Sequence, residues 1–278
     1  MQRHTEPPFL TKPPAAPFIK WVGGKRGIMP ALARRFPEHI NTYWEPFVGG
    51  GAVFFQIADR IERAHLSDAN EELVITYKIV KSKVSALIEH LKEHVAKHDK
   101  DYYYKIREQE PKKAVEIAAR FIYLNKTGYN GLYRVNSSGK FNVPIGRQNT
   151  LNICDENALR TASKALKKAT IKLGSFEKVV KPGADDFIYC DPPYDECFTE
   201  YQAGGFIGAD QQSLRDCALQ WSKVGANVMV SNSDTELMRK LYTKRKGFVL
   251  ESITAPRSIS CKSGERTRAG ELIITSYE

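Results

Sequence analysis

The stretch "DDFIYCDPPYDE", residues 185–196, decides the fold. Phe187, Ile188, Tyr189 and Cys190 make a short unbroken apolar run, and such a run bounded by turn residues reads as a buried strand. It stops abruptly at Asp191. Pro192 and Pro193 have no N–H to donate and their φ angles are fixed, so the chain leaves the sheet along one stiff path with its carbonyls free to accept. Tyr194 is then held as a flat platform beside the acid.

Similar short runs recur on both sides. "TYWEP", "RAHLSD", "TIKLG", "NVMVSN", "FVLESI" and "ELIITSY" read as strands, while residues 71–98, 112–125, 156–168, 210–223 and 234–245 read as helices. Such alternation predicts an α/β sheet whose ligands sit beyond the carboxyl ends of its strands. One region breaks the rhythm. Residues 99–125 are helical and rich in tyrosine and lysine, and lead into "TGYNGLYRVNSSGKFNVPIGRQN", where two short runs flank "NSSGK" and predict a hairpin. Residues 71–155 are therefore read as a module inserted between two parts of one catalytic domain, 18–70 and 156–278. Met1 to Pro17 is Pro-rich and aperiodic and reads as a disordered tail.

The first strand runs into "YWEPFVGGGAVFF", where Gly49, Gly50 and Gly51 precede a helix start. Glycines at that place let backbone N–H groups approach a ligand closely. The next strand ends "LSDAN", so Asp68 lies about twenty residues on, where an acid can take both ribose hydroxyls of a nucleoside. Phe54 stands where the dinucleotide fingerprint needs its third glycine, and Arg26 follows the lysine of "GGKR" where a Walker loop needs Ser or Thr. S-adenosylmethionine, which has a ribose but no pyrophosphate, is the remaining cofactor.

An acceptor carboxylate, an acceptor carbonyl and an aromatic face suit a planar group bearing an NH₂. The exocyclic amine of adenine is a poor nucleophile because its lone pair is delocalised into the ring. Accepting its two protons, on Asp191 and on the Pro192 carbonyl, localises that lone pair toward a sulfonium methyl, and fixed acceptors stabilise the positive charge that develops. Tyr194 adds stacking on the base.

Charge points to the polymer that carries the base. The formal net charge is +10, and residues 100–147 hold ten Lys/Arg against four Asp/Glu while residues 236–268 hold nine against three. Two basic segments suit a polyanion, because each neutralised phosphate releases counterions. Neither is an amphipathic helix with bulky apolar anchors, which favours nucleic acid over anionic membrane. No apolar run approaches the length of a span and no signal-peptide core is present, so a cytoplasmic, nucleoid-associated protein is expected. Five cysteines (Cys154, Cys190, Cys197, Cys217, Cys261) without a C-x-x-C pair predict reduced thiols and no metal site.

Taken in order, "FIKWVGGK", "EPFVGGGAVF", "LSDAN", "YLNKTGYNGLYRVNSSGKFNVPIGR", "YCDPPY", "VMVSNSD" and "RSIS" carry a resemblance that runs from Phe18 to Tyr277. The chain resembles the Dam-type DNA adenine-N6 methyltransferases of the D12 class, which methylate adenine in GATC. The resemblance implies a class I, Rossmann-like methyltransferase sheet with an inserted helical and β-hairpin DNA-recognition module. It implies that Trp21, Lys25, Glu45, Phe47, Gly49, Gly51, Asp68 and Asp191 bind S-adenosylmethionine, and that Asp191, Pro192, Pro193 and Tyr194 form the catalytic motif. Lys20, Tyr129, Asn130, Leu132, Arg134, Pro144 and Arg147 are implied DNA contacts. Tyr129 would enter the duplex beside a flipped adenine, Asn130 would support the abandoned partner base, and Arg134 would pair with a guanine edge. Leu132 and Pro144 would supply apolar contacts. One departure is Gln148, where the family often carries an aromatic residue after "VPIGR". A monomer acting on double-stranded DNA is expected, alone in replication or beside a restriction endonuclease. A regulator that has lost transfer, and an RNA adenine methyltransferase, are the alternatives.

Overall fold

All seven strand-like runs join one sheet. The computed structural model describes residues 15–147, 152–194, 206, 208–255 and 269–278. The strands are β1 (Tyr43–Glu45), β2 (Ala64–Asp68), β3 (Ala169–Leu173), β4 (Phe187–Cys190), β5 (Asn227–Ser233), β6 (Val249–Ala255) and β7 (Ala269–Thr275), in spatial order β3-β2-β1-β4-β5-β7-β6. Pairing is parallel from β3 through β5, and β7 runs antiparallel to both of its neighbours. The chain builds outward from β1 in one direction and from β4 in the other. Those two strands therefore flank the switch point, and their carboxyl ends open one crevice. This is the Rossmann-like arrangement expected.

Every residue of β4 is buried, as a parallel strand covered on both faces requires. Phe187 and Tyr189 face the core built with α2 (Ala52–Ile57), α3 (Glu71–Ser82), α6 (Ala114–Thr127) and α7 (Glu156–Leu166), beyond a short α1 (Met29–Ala33). Ile188 and Cys190 face the opposite core, built with α9 (Gly208–Lys223) and α10 (Glu236–Leu241), with the single turn of α8 (Phe176–Val179) at its margin. Ala15 and Phe18 are buried in the first core.

The helix expected over 71–98 is two helices, α3 and α4 (Val84–Lys97), broken at Lys83, whose φ of −135° and ψ of 37° leave the helical region. No glycine or proline marks the break. α3 packs on α6, α7, β2 and β3, and α4 on α6 and α7. Asn70 caps α3 by accepting the Leu73 N–H, and Asp99 caps α5 (Lys100–Arg107) by accepting that of Tyr102. Arg120 of α6 joins these pieces: it donates to the carbonyls of Ile106 and Arg107 and to Glu72 Oε1.

Residues 128–147 form the expected hairpin as isolated bridges, Gly128 to Ile145 and Val135 to Phe141, rather than as a regular ladder. Asn136 holds the tip by accepting the N–H groups of Ser138 and Lys140. Tyr103 donates its hydroxyl to the Val143 carbonyl from beneath.

Glu45 ends β1 fully inside the protein. Its Oε2 accepts the Tyr43 hydroxyl at 2.9 Å and the Phe54 N–H at 3.1 Å, which ties strand to helix across the glycine loop. Burial raises its carboxyl to about 8; the hydrogen bonds from Tyr43 and Phe54 oppose this, while Asp191 and Asp68 add to it. The folded chain thus holds a proton that the unfolded chain gives up near 4.5. That contribution is present below the unfolded value and is lost as pH rises through the folded one. Relative to Glu45→Gln, the wild type should lose about 1.4 kcal/mol of stability per pH unit across that window in urea unfolding. Parallel pH profiles for the two proteins would contradict an uncharged Glu45.

Candidate active site

Asp191 stands where β4 leaves the sheet, at the switch point. Its Oδ1 receives the Lys25 ammonium at 2.8 Å and the Ser231 hydroxyl at 3.1 Å. Ser231 comes from the adjacent strand β5 and is also hydrogen-bonded to the Tyr189 hydroxyl, at 2.8 Å. Lys25 is nearly fully buried, with its side chain 5% exposed, and also donates to the Gly23 carbonyl. Burial raises the Asp191 carboxyl above its usual range, and Lys25 is the strongest influence in the other direction.

The two prolines are treated differently. The Pro193 carbonyl accepts from Gln211 Nε2 at 3.2 Å, and the Gln211 side-chain oxygen in turn accepts from Asn232. Among the described residues no donor is bonded to the Pro192 carbonyl. Among the described residues the stiff exit therefore leaves the Pro192 carbonyl beside Asp191 without a donor, with Tyr194 following. The Tyr194 ring lies 4.8 Å from Lys25 Nζ, and its hydroxyl donates to Glu271 Oε1.

Asp68 ends β2, two strands from Asp191. Its Oδ2 accepts the Gly49 N–H at 3.1 Å and its Oδ1 the Asn70 N–H at 3.0 Å, so backbone donors orient both oxygens. Burial raises this carboxyl too, against those backbone bonds. The loop uses its glycines for packing: Gly49 has φ +45°, and a Cβ there would stand 2.5 Å from the Trp21 ring. Gly51 caps α2 with φ +69° against the Tyr77 hydroxyl, which donates to the Gly49 carbonyl. Trp21, Lys25, Glu45, Gly49, Gly51, Asp68 and Asp191 thus converge on one sheet edge. Phe47 lies at the same edge, where its ring meets Phe176 and Phe206. Strand-end acids, a close-packed glycine loop and flanking aromatic rings are a donor and acceptor set able to hold a nucleoside.

The expected DNA contacts lie on the hairpin side. Tyr129 is 46% exposed, and Asn130, Pro144 and Arg147 are exposed as well. Asn130 has φ +54°, a left-handed conformation that asparagine tolerates. Leu132 is half-buried against the main core. Arg134 is half-buried, and its Nε donates to Asn142 Oδ1 at 2.7 Å. Lys20 is brought beside this turn by Asn125, which bonds both the N–H and the carbonyl of Lys20 and reaches the Gly131 carbonyl. Trp21 stacks on Tyr133 and Phe121, joining the glycine loop to the hairpin base. Gln148 and the "RSIS" segment lie outside the described residues.

Sequence reasoning missed Asn125, Ser231, Gln211 and Glu271. Ser231 and Glu271 could have been flagged as polar residues inside strand-forming runs; Gln211 and Asn125 carry no such signal. Among the described residues no group of three His, Cys, Asp or Glu is placed to hold a metal ion, and no helix is long and apolar enough to cross a membrane.

Residues 21–259 match the family of D12 class N6 adenine-specific DNA methyltransferases. A type II methyltransferase of Lactococcus lactis subsp. cremoris is 40% identical over 94% of this chain and 95% of its own length. A type II methyltransferase of Methanocaldococcus jannaschii is also 40% identical, over 94% of this chain and 99% of its own. A DNA adenine methylase of Haemophilus influenzae is 36% identical over 92% of each chain. With the motif at β4 and the matched span covering most of its length, the chain belongs to the D12 class of N6 adenine-specific DNA methyltransferases.

Proposed function

We propose that the protein transfers the methyl group of S-adenosylmethionine to N6 of adenine in double-stranded DNA, within GATC, on a base turned out of the duplex. The observation that carries the reading is the Asp191 carboxylate at the switch point, followed along the chain by the Pro192 carbonyl, to which no donor is bonded among the described residues.

Asp68 would hold the ribose of the cofactor, and Trp21, Glu45, Phe47 and the Gly49–Gly51 loop would line its site. Bound there, S-adenosylmethionine supplies an electrophilic methyl group. The chain's own work is done on the nitrogen. Asp191 and the Pro192 carbonyl accept the two amine protons and concentrate the lone pair, in a site where fixed acceptors need no reorganisation. Tyr194 holds the base by its face. Once the nitrogen has gained the methyl it carries an excess proton, which leaves toward Asp191 and solvent. No stronger base is needed.

A base inside a duplex cannot reach this crevice, so extrusion is required. We place recognition in residues 71–155. The exposed Tyr129 ring is suited to fill the stack, and the left-handed turn at Asn130 and Gly131 projects the neighbouring polar groups. Arg134 would exchange its Asn142 partner for a guanine edge, with Lys20, Leu132, Pro144 and Arg147 flanking. A major-groove hairpin favours DNA over RNA, whose major groove is too narrow to read. The naming of two relatives as type II methyltransferases supports a place beside a restriction endonuclease.

Asp191→Ala should leave duplex binding within about threefold of wild type and lower methyl transfer by at least about a thousandfold, read with labelled cofactor and unmethylated DNA. Retained transfer would remove Asp191 from the mechanism. Arg134→Ala should weaken discrimination at one base pair by about 1–3 kcal/mol when modified sites are sequenced. Unchanged preference would remove Arg134 from the readout.

A further inference from the structure

Asp191 faces a difficulty of its own making. To grip an amine it must have lone pairs to spare, yet it is crowded by donors. The Lys25 ammonium lies 2.8 Å from Oδ1, and the Tyr194 hydroxyl is close enough to favour its charged form. A hydroxyl has one proton to give, and whichever carboxylate receives it leaves the other free.

Glu271 stands at that junction. It belongs to β7, an antiparallel strand, and pairs in register with Ser233 of β5. The antiparallel run brings an acid from near the end of the chain against the exit of β4. Glu271 Oε1 accepts the Tyr194 hydroxyl at 2.5 Å and lies 3.6 Å from Lys25 Nζ. Its side chain is 10% exposed, so it is not a solvated surface acid. A carboxylate kept that dry needs partners, and among the described residues these are Tyr194 and Lys25, the same donors that approach Asp191.

We infer that Glu271 is a positioning residue for methyl transfer: it takes the Tyr194 hydroxyl, and draws on the Lys25 ammonium, so that the Asp191 carboxylate is kept for the adenine amine. By fixing the hydroxyl it also fixes the plane of the Tyr194 ring. The inference rests on the adenine-N6 reading given above and adds a residue that never touches the substrate. With a neutral amide at 271, the Tyr194 hydroxyl would be drawn to Asp191, and the Lys25 ammonium, already 2.8 Å from it, would be held there more tightly. Affinity for DNA and cofactor would survive, and the transfer step would slow.

The test is single-turnover methyl transfer with labelled S-adenosylmethionine and unmethylated duplex DNA at saturation, on the full chain. Glu271→Gln should slow transfer about tenfold, with DNA and cofactor dissociation constants within about twofold of wild type. Adding Tyr194→Phe, which removes the competing hydroxyl, should make the double variant no slower than Glu271→Gln alone, although Tyr194→Phe slows the otherwise unaltered protein. A purely structural role predicts losses that multiply. Either multiplied losses or a Glu271→Gln rate equal to wild type would overturn the inference. Should Glu271→Gln not fold, Glu271→Asp, which keeps the charge but withdraws it, is read by the same rate and affinities. Failure of the wild type to label adenine would overturn the methyl-transfer reading itself, so the two failures are distinct.

Discussion

Two carboxylates and one ammonium, Lys25 and Glu271 nearly buried and Asp191 partly so, meet where the central strands of the sheet part. Lys25 comes from the segment before β1, Asp191 from the end of β4 and Glu271 from β7. None of the three would be tolerated alone at that depth, since an unpaired buried charge costs several kcal/mol. Their mutual pairing fixes where the N-terminal segment lies against the sheet. It also fixes the exit of β4, and hence the carbonyl and the ring that follow. Burial pushes both carboxyls up, and Lys25 is the strongest opposing influence on each. The cluster is thus a constraint on the fold and the source of the site's polarity.

A second set of contacts ties the hairpin side to the same edge. Trp21 covers Gly49 and stacks on Tyr133, and Tyr133 donates to Glu72, which also receives Arg120. Asn125 clasps Lys20 and Gly131. The hairpin lacks a regular ladder, so its shape depends on these side-chain contacts from α3 and α6. The glycine loop and the turn at Asn130 and Gly131 therefore share a support. A change in packing at Trp21 would be felt in both.

Much of the fold was legible because its strands are short, apolar and sharply ended. "FIYC" stops at Asp191 and "AHLSD" at Asp68, and in each case the terminating acid stands at the carboxyl edge of the sheet. The glycine loop was legible as a close approach, though what approaches Gly49 most closely in the chain itself is the Trp21 ring. The break at Lys83 was not legible, because no glycine or proline marks it. Glu271 was hidden because its partners are distant in sequence. Its neighbours are Lys25 and Tyr194, and only the antiparallel insertion of β7 beside β5 brings residues so distant in sequence together. Gln211, fully buried on α9, is defined by the Pro193 carbonyl and the Asn232 amide it meets.

The most direct measurement is the structure of the chain bound to duplex DNA and S-adenosylhomocysteine. Adenine N6 should lie about 3 Å from both an Asp191 oxygen and the Pro192 carbonyl, with the Tyr194 ring on the face of the base. An N6 atom out of hydrogen-bond reach of either acceptor, with Lys25 still filling the space between Asp191 and the base, would contradict it.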